Sequence, residues 1–189
     1  ALMIEKLKSY GAEVIAYDIL FSYSATENED NDLSQSTLSA GNLVYPAGME
    51  LSTNKSAKNN LVPQSASKSF INNMTAESDF LYITNALFPF KELIKNSLGS
   101  GHIASHRDND GSIRKVPLLV KDNDRLFPAF AFTAILHYLK VSKENIIVSP
   151  GNEIILKNVV FPNEDVEKSY HIPINNRGEM LINYAGRWT

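Results

Sequence analysis

The segment Gly101–Val120, G-H-I-A-S-H-R-D-N-D-G-S-I-R-K-V-P-L-L-V, constrains the fold more than any other part of the chain. Asp110-Gly111 predicts a tight turn, because glycine takes up positive φ at no steric cost, and the apolar runs on either side predict the arms of a hairpin. Beyond the turn, alternation puts Arg114 on one face with Val116, Leu118 and Val120, while Ile113, Lys115, Pro117, Leu119 and Lys121 share the other. The first face is a core face. A guanidinium there keeps its proton and must meet a carboxylate, backbone carbonyls or a ligand.

Around this segment the hydrophobic period changes repeatedly. Leu2–Tyr10 has a helical stripe that Gly11 can end, and Val14–Phe21 is an apolar run of the kind found in strands covered on both faces. Asp32 is placed to cap a helix reaching Ala40, with Gly41 as its stop and Asn42–Tyr45 as the next strand. Residues 48–80 begin with a Ser-, Asn- and Lys-rich stretch without periodicity and read as a variable insertion. Leu81–Thr84 reads as a strand, Phe90–Leu98 as a helix opening after Pro89, and Pro128–Leu139 as a buried helix. Short strands follow at Ile146–Val148, Ile154–Leu156 and Val159–Phe161, and His171–Ile174 and Met180–Tyr184 flank a second hairpin turn. The sum is a single α/β domain, with a mixed, partly parallel sheet flanked by helices and hairpins in its C-terminal half.

With 189 residues, 43% of them hydrophobic, the chain can build a core of ordinary size. A net charge of −3 gives no basic field for nucleic acid. The absence of cysteine excludes thiol catalysis, disulfides and cysteine metal sites. No apolar run is long enough to span a bilayer, and Ala1–Lys8 lacks the shape of a signal peptide. Both ends look cut from a longer protein.

Candidate chemistry is sparse. Asp18 lies inside the apolar run, so it reads either as a structural partner of Arg114 or of nearby backbone, or as a ligand-facing carboxylate. Asp108-Asn109-Asp110-Gly111 looks like the middle of a calcium loop, but Pro117 stands where the bidentate glutamate belongs, leaving a plain surface turn. His102 and His106 would be about 13 Å apart on a strand and could not share a metal ion. His102 alone reads as a hydrogen-bonded partner in the sheet, with a ligand contact as the second reading. No nucleophile elbow, zinc-hydrolase helix or phosphate loop is present, and an Asp18–His102 acid–base pair would need both side chains in one cleft.

Three segments, in order along nearly the whole chain, resemble the CHASE2 family. They are G-A-E-V-I-A-Y-D-I-L-F at Gly11–Phe21, with its aspartate at Asp18 and the G-N-L-V strand behind it; the hairpin segment with Asp108, Asp110, Gly111, Arg114 and Pro117; and His171–Gly186, with Asn183, Tyr184 and Gly186. The enlarged polar segment at 48–80 departs from the family pattern. The resemblance implies a periplasmic or extracellular sensory domain of a bacterial membrane receptor, without catalysis or cofactor of its own. It further implies relay through membrane helices to a cytoplasmic cyclase, kinase or diguanylate cyclase. The expected stimulus is a small ligand held by Asp18, His102 or Arg114. The alternative is a periplasmic protein partner or a homodimer mate recognised without a small ligand.

Overall fold

A computed structural model describes residues 1–55, 60–105, 107–162, 164–184 and 186. The chain opens with helix α1 (Leu2–Ser9), after which Gly11 takes φ +84° to end it. Strand β1 (Ile15–Ala16) follows, then α2 (Glu27–Ala40) and β2 (Leu43–Ser52). The true cap of α2 is Thr26, whose hydroxyl accepts the Glu29 N–H at 3.4 Å and donates to the Glu29 carboxylate at 2.8 Å. Asp32 therefore sits inside the helix, while Gly41 closes it at φ +67° as expected.

β2 is the hub of a six-stranded sheet. Its first half runs parallel to β1 on one side and to β4 (Gly99–His102) on the other, and its second half pairs antiparallel with β3 (Tyr82–Leu87). The short helix α3 (Lys91–Asn96) joins β3 to β4. The sheet continues through β6 (Leu119–Asp122), parallel to β3, and closes with β7 (Arg125–Pro128) in a hairpin whose turn residue Asn123 has φ +57°. Helix α4 (Phe130–Tyr138) comes next, followed by an antiparallel three-stranded sheet of β8 (Ile146–Ser149), β9 (Glu153–Val159) and β10 (Lys168–Pro173). Finally β11 (Glu179–Leu181) pairs with β5 (Lys115–Pro117). The mixed, partly parallel sheet, its flanking helices and the hairpins of the C-terminal half are all as the sequence predicts.

Two hydrophobic clusters hold these layers. One gathers Ile4, Leu43, Tyr45, Phe70, Leu93 and Phe127 around β2; the other gathers Phe80, Leu119, Phe132, Leu136, Val148 and Ile154 around α4 and the three-stranded sheet.

Four further expectations need correction. The run Val14–Phe21 is not a doubly covered central strand: only Ile15–Ala16 pairs, at the sheet edge, because the Ile19 N–H turns back to the Tyr17 carbonyl at 2.8 Å. Its aromatics instead form a cluster, with Tyr17 stacked on Phe21 and both edge-on to Tyr45. Gly101–Val120 is not a hairpin: β4 joins β2, whereas β5 joins β11. The proposed face alternation breaks at Leu118, whose N–H bonds the Gly178 carbonyl while its own carbonyl accepts from Ala129, so 117–121 are buried on both sides. Likewise, His171–Ile174 and Met180–Tyr184 do not pair; β10 goes to β9 and β11 to β5, although Gly178 does take the left-handed turn position at φ +74°.

Residues 48–80 are knitted into the fold. β2 runs on to Ser52, and Val62, Ala66, Phe70, Ile71 and Phe80 are buried. Ile71 exchanges backbone hydrogen bonds with Leu126, and the buried Asp122 carboxylate accepts the N–H groups of Leu61 and Val62. Lys68 binds the Lys95 and Ser97 carbonyls at the end of α3.

Candidate functional site

The three residues singled out as ligand contacts occupy different environments. Asp18 lies just beyond β1 and is exposed. Arg114 is also exposed, contrary to its predicted place on a core face. Its guanidinium donates to Asp110 at 2.6 and 3.0 Å and to Asp108 at 2.9 Å. The carboxylate partner the sequence demanded is thus four residues away, not on the first strand. Among the described residues, no hydrogen bond or ion pair joins any two of Asp18, His102 and Arg114.

Local backbone chemistry shapes the arginine turn. Gly111 adopts φ +83°, its N–H bonds the Asp108 carbonyl, and the Asp110 carboxylate accepts the Ser112 N–H. Arg114 holds the Asp110 carboxyl down at about 2, helped by the Ser112 N–H, and the two carboxylates raise the guanidinium in turn. The residues that carry the resemblance meet nearby: Pro117 opposes Glu179 in the β5–β11 pair, the Ile182 N–H reaches the Arg114 carbonyl at 2.8 Å, and the Tyr184 hydroxyl donates to the Ile113 carbonyl. Asn183 and Gly186 are exposed beside them. His106 lies outside the described residues.

His102 is different. It ends β4 with only 2% of its surface exposed, and both ring nitrogens are sealed from solvent without a hydrogen-bond partner. The expected sheet hydrogen bond to its side chain is absent. Desolvation lowers its pKa to about 3, so the imidazole is neutral near pH 7. A buried polar group left unpaired costs about 1–3 kcal/mol, which makes this ring an outlier.

His102 is also among the residues lining a cavity of about 430 Å³ that opens at the surface, where Ile103 and Ile135 are exposed. β4, the start of α4, β5, β10 and β11 all contribute to it, through His102, Phe130, Phe132, Val116, Ile172 and Met180. Apart from His102 and Ser105 its lining is apolar, and no lining residue carries a formal charge at pH 7. The volume lies within the roughly 300–1,000 Å³ typical of small-molecule pockets. Phe130 and Phe132, read from the sequence as core, are walls of this space.

Elsewhere the described residues contain no group of three or more histidine, aspartate or glutamate side chains set to hold a metal ion, and no helix long and apolar enough to cross a membrane. The CHASE2 domain model matches residues 1–189, and the chain belongs to that family of extracytoplasmic sensory domains, which are not themselves catalytic. No curated protein and no solved structure matches the chain.

Proposed function

We propose that this domain is the input module of a bacterial membrane receptor, exposed on the periplasmic or extracellular side, and that its stimulus enters the cavity walled by His102. The observation that carries the reading is a buried, unpartnered imidazole beside an apolar space of ligand size. Val116 and Met180 bring β5 and β11 to that space, so a ligand pressing on them bears on the strand pair that leads to the C-terminal segment. A stimulus acts by preferring one of two arrangements of this pair. The shift passes through membrane helices to a cytoplasmic cyclase, kinase or diguanylate cyclase. Filling the cavity tests this: Ala131→Trp in the full-length receptor should hold output at a constant level whatever the growth medium. Output that still follows the medium as in the unaltered receptor overturns the reading.

A second reading, self-association without a small ligand, draws on Leu2, Met3 and Tyr10, which leave α1 with exposed apolar side chains. Sedimentation of the domain and of a Tyr10→Glu variant separates the two: a monomer at all concentrations rejects self-association.

A further inference from the structure

The cavity that opens at Ile103 and Ile135 lies where β4 ends. His102 is the last residue of that strand, which runs parallel to β2, and Ile103, Ala104 and Ser105 carry the chain on along the cavity wall. The crevice outside the carboxyl ends of parallel strands is where open α/β sheets hold their ligands. What this crevice offers is hydrocarbon. Backbone groups of its walls are engaged elsewhere: the Ala129 N–H bonds the Leu118 carbonyl at 2.8 Å, the Leu118 N–H bonds the Gly178 carbonyl at 2.9 Å, and the Ile103 N–H bonds the Ala47 carbonyl at 3.0 Å. Both ring nitrogens of His102 are sealed, so the imidazole presents no donor or acceptor to the space. Of the two polar lining residues that leaves Ser105, which is exposed.

We infer that the cavity takes an uncharged amphiphile, its hydrocarbon body against Leu118, Phe132, Ile172 and Met180 and its single hydroxyl at the mouth beside Ser105. The inference rests on the functional reading above and names its ligand class. An ion of either sign finds no counter-charge, because no lining residue carries a formal charge at pH 7, and taking it out of water costs far more than one serine hydroxyl returns. A sugar or a nucleotide brings many hydrogen-bonding groups, which these walls would leave unpaired. A hydrocarbon chain brings none. Each methylene it moves out of water strengthens binding about fourfold, and a lone hydroxyl at the mouth keeps its hydrogen bonds to Ser105 and to solvent.

The alcohols 1-hexanol, 1-octanol and 1-decanol, with decanoate and decylamine as charged counterparts of the last, test this on the 189-residue domain carrying ¹³C-methyl methionine. Met180 is the one methionine in the lining, so Met3, Met49 and Met74 serve as controls. The alcohols should shift the Met180 methyl signal saturably and leave the other three in place, with affinity rising at least about tenfold for every two carbons added. Decanoate and decylamine, whose charges hold the adjoining methylenes in water, should each bind about tenfold more weakly than 1-decanol. Ala131→Trp, at an exposed residue of the lining, should abolish the Met180 shift while the melting midpoint stays close to that of the unaltered domain. A Met180 signal that no alcohol moves, a shift that persists in Ala131→Trp, or shifts that appear equally at the exposed Met3 overturn the site. Either ion binding as tightly as 1-decanol, or affinity that does not rise with chain length, overturns the uncharged amphiphile and leaves the cavity reading intact. The functional reading fails separately, through a receptor whose output ignores Ala131→Trp even though 1-decanol binds the domain.

Discussion

Gly101 and Phe130 touch backbone to backbone: a Cβ on Gly101 would fall 2.5 Å from the Phe130 Cα and 2.6 Å from its nitrogen. Neither atom belongs to a flexible side chain, so Gly101→Ala can be accommodated only by moving the start of α4 off β4. We expect a loss of about 1–3 kcal/mol, the usual cost of overpacking, read from urea midpoints. Because the same movement displaces Ala129 and Phe130 beside His102, the NMR signals of the His102 ring should shift in parallel. A variant with unchanged midpoint and unchanged ring signals shows that the helix start is not held in this way.

His102 gives the domain an acid-sensitive stability. Its folded pKa is depressed from 6.5 to about 3 by burial. As the pH falls between those values, the unfolded chain takes up a proton that the folded ring refuses, so stability is fully present above 6.5 and declines below it. The limiting slope is about 1.4 kcal/mol per pH unit for one such group. His137 is depressed too, by desolvation and by Lys68 and Lys143, and adds a decline of the same sign. Replacing His102 with leucine should therefore flatten the fall in urea midpoint between pH 7 and pH 4.5 without removing it. Equal slopes in both proteins rule out a sealed, neutral His102.

Arg114 clamps a surface turn and does not support the core. The ion pairs to Asp108 and Asp110 are exposed, so Arg114→Ala should leave the fold and its midpoint nearly unchanged while hydrogen exchange speeds up at Gly111 and Ser112. The depressed carboxyl of Asp110 contributes above its ordinary value of 3.8 and loses that contribution as the pH falls through about 2. Exchange at Ser112 should thus stay protected at pH 4 and open only in stronger acid. Global unfolding of Arg114→Ala would return the guanidinium to the role its strand alternation suggested.

Local chemistry was legible and long-range pairing was not. The turn at Asp110-Gly111, the stop at Gly41 and the left-handed position at Gly178 all follow from glycine's freedom at positive φ. The strands on either side of those turns were assigned to each other because they are neighbours in sequence. In the folded chain β5 and β11 find each other across more than sixty residues, from Pro117 to Glu179, and no period in either segment encodes that choice. Apolar content was equally ambiguous. Val14–Phe21 supplies an aromatic cluster at a sheet edge rather than a central strand, and Phe130 and Phe132 line a cavity as well as a core. His102 is visible in the sequence as a candidate, but no charged residue meets its ring in the fold. The groups that meet beside it are backbone and hydrocarbon, which a search for charged partners passes over.

Asp122 decides whether residues 48–80 can be treated as a separable piece. With 2% of its surface exposed, it accepts the Leu61 N–H at 3.1 Å, the Val62 N–H at 3.4 Å and the Arg125 guanidinium at 3.1 Å, and that guanidinium lies 3.9 Å over the Phe70 ring. Asp122→Ala leaves two N–H groups and a half-buried cation without their acceptor. It should cost about 2–3 kcal/mol, at the level of unsatisfied buried donors, and should release 61–71 to exchange before the rest of the fold. Asp122→Asn retains acceptors without the charge and should cost less. Removing 53–71 altogether takes Val62, Ala66, Phe70 and Ile71 out of both hydrophobic clusters, so that deletion should unfold the domain. A deletion variant that melts cooperatively near the wild-type temperature would show that the segment is dispensable to the core, and only then could its loss report on partner recognition.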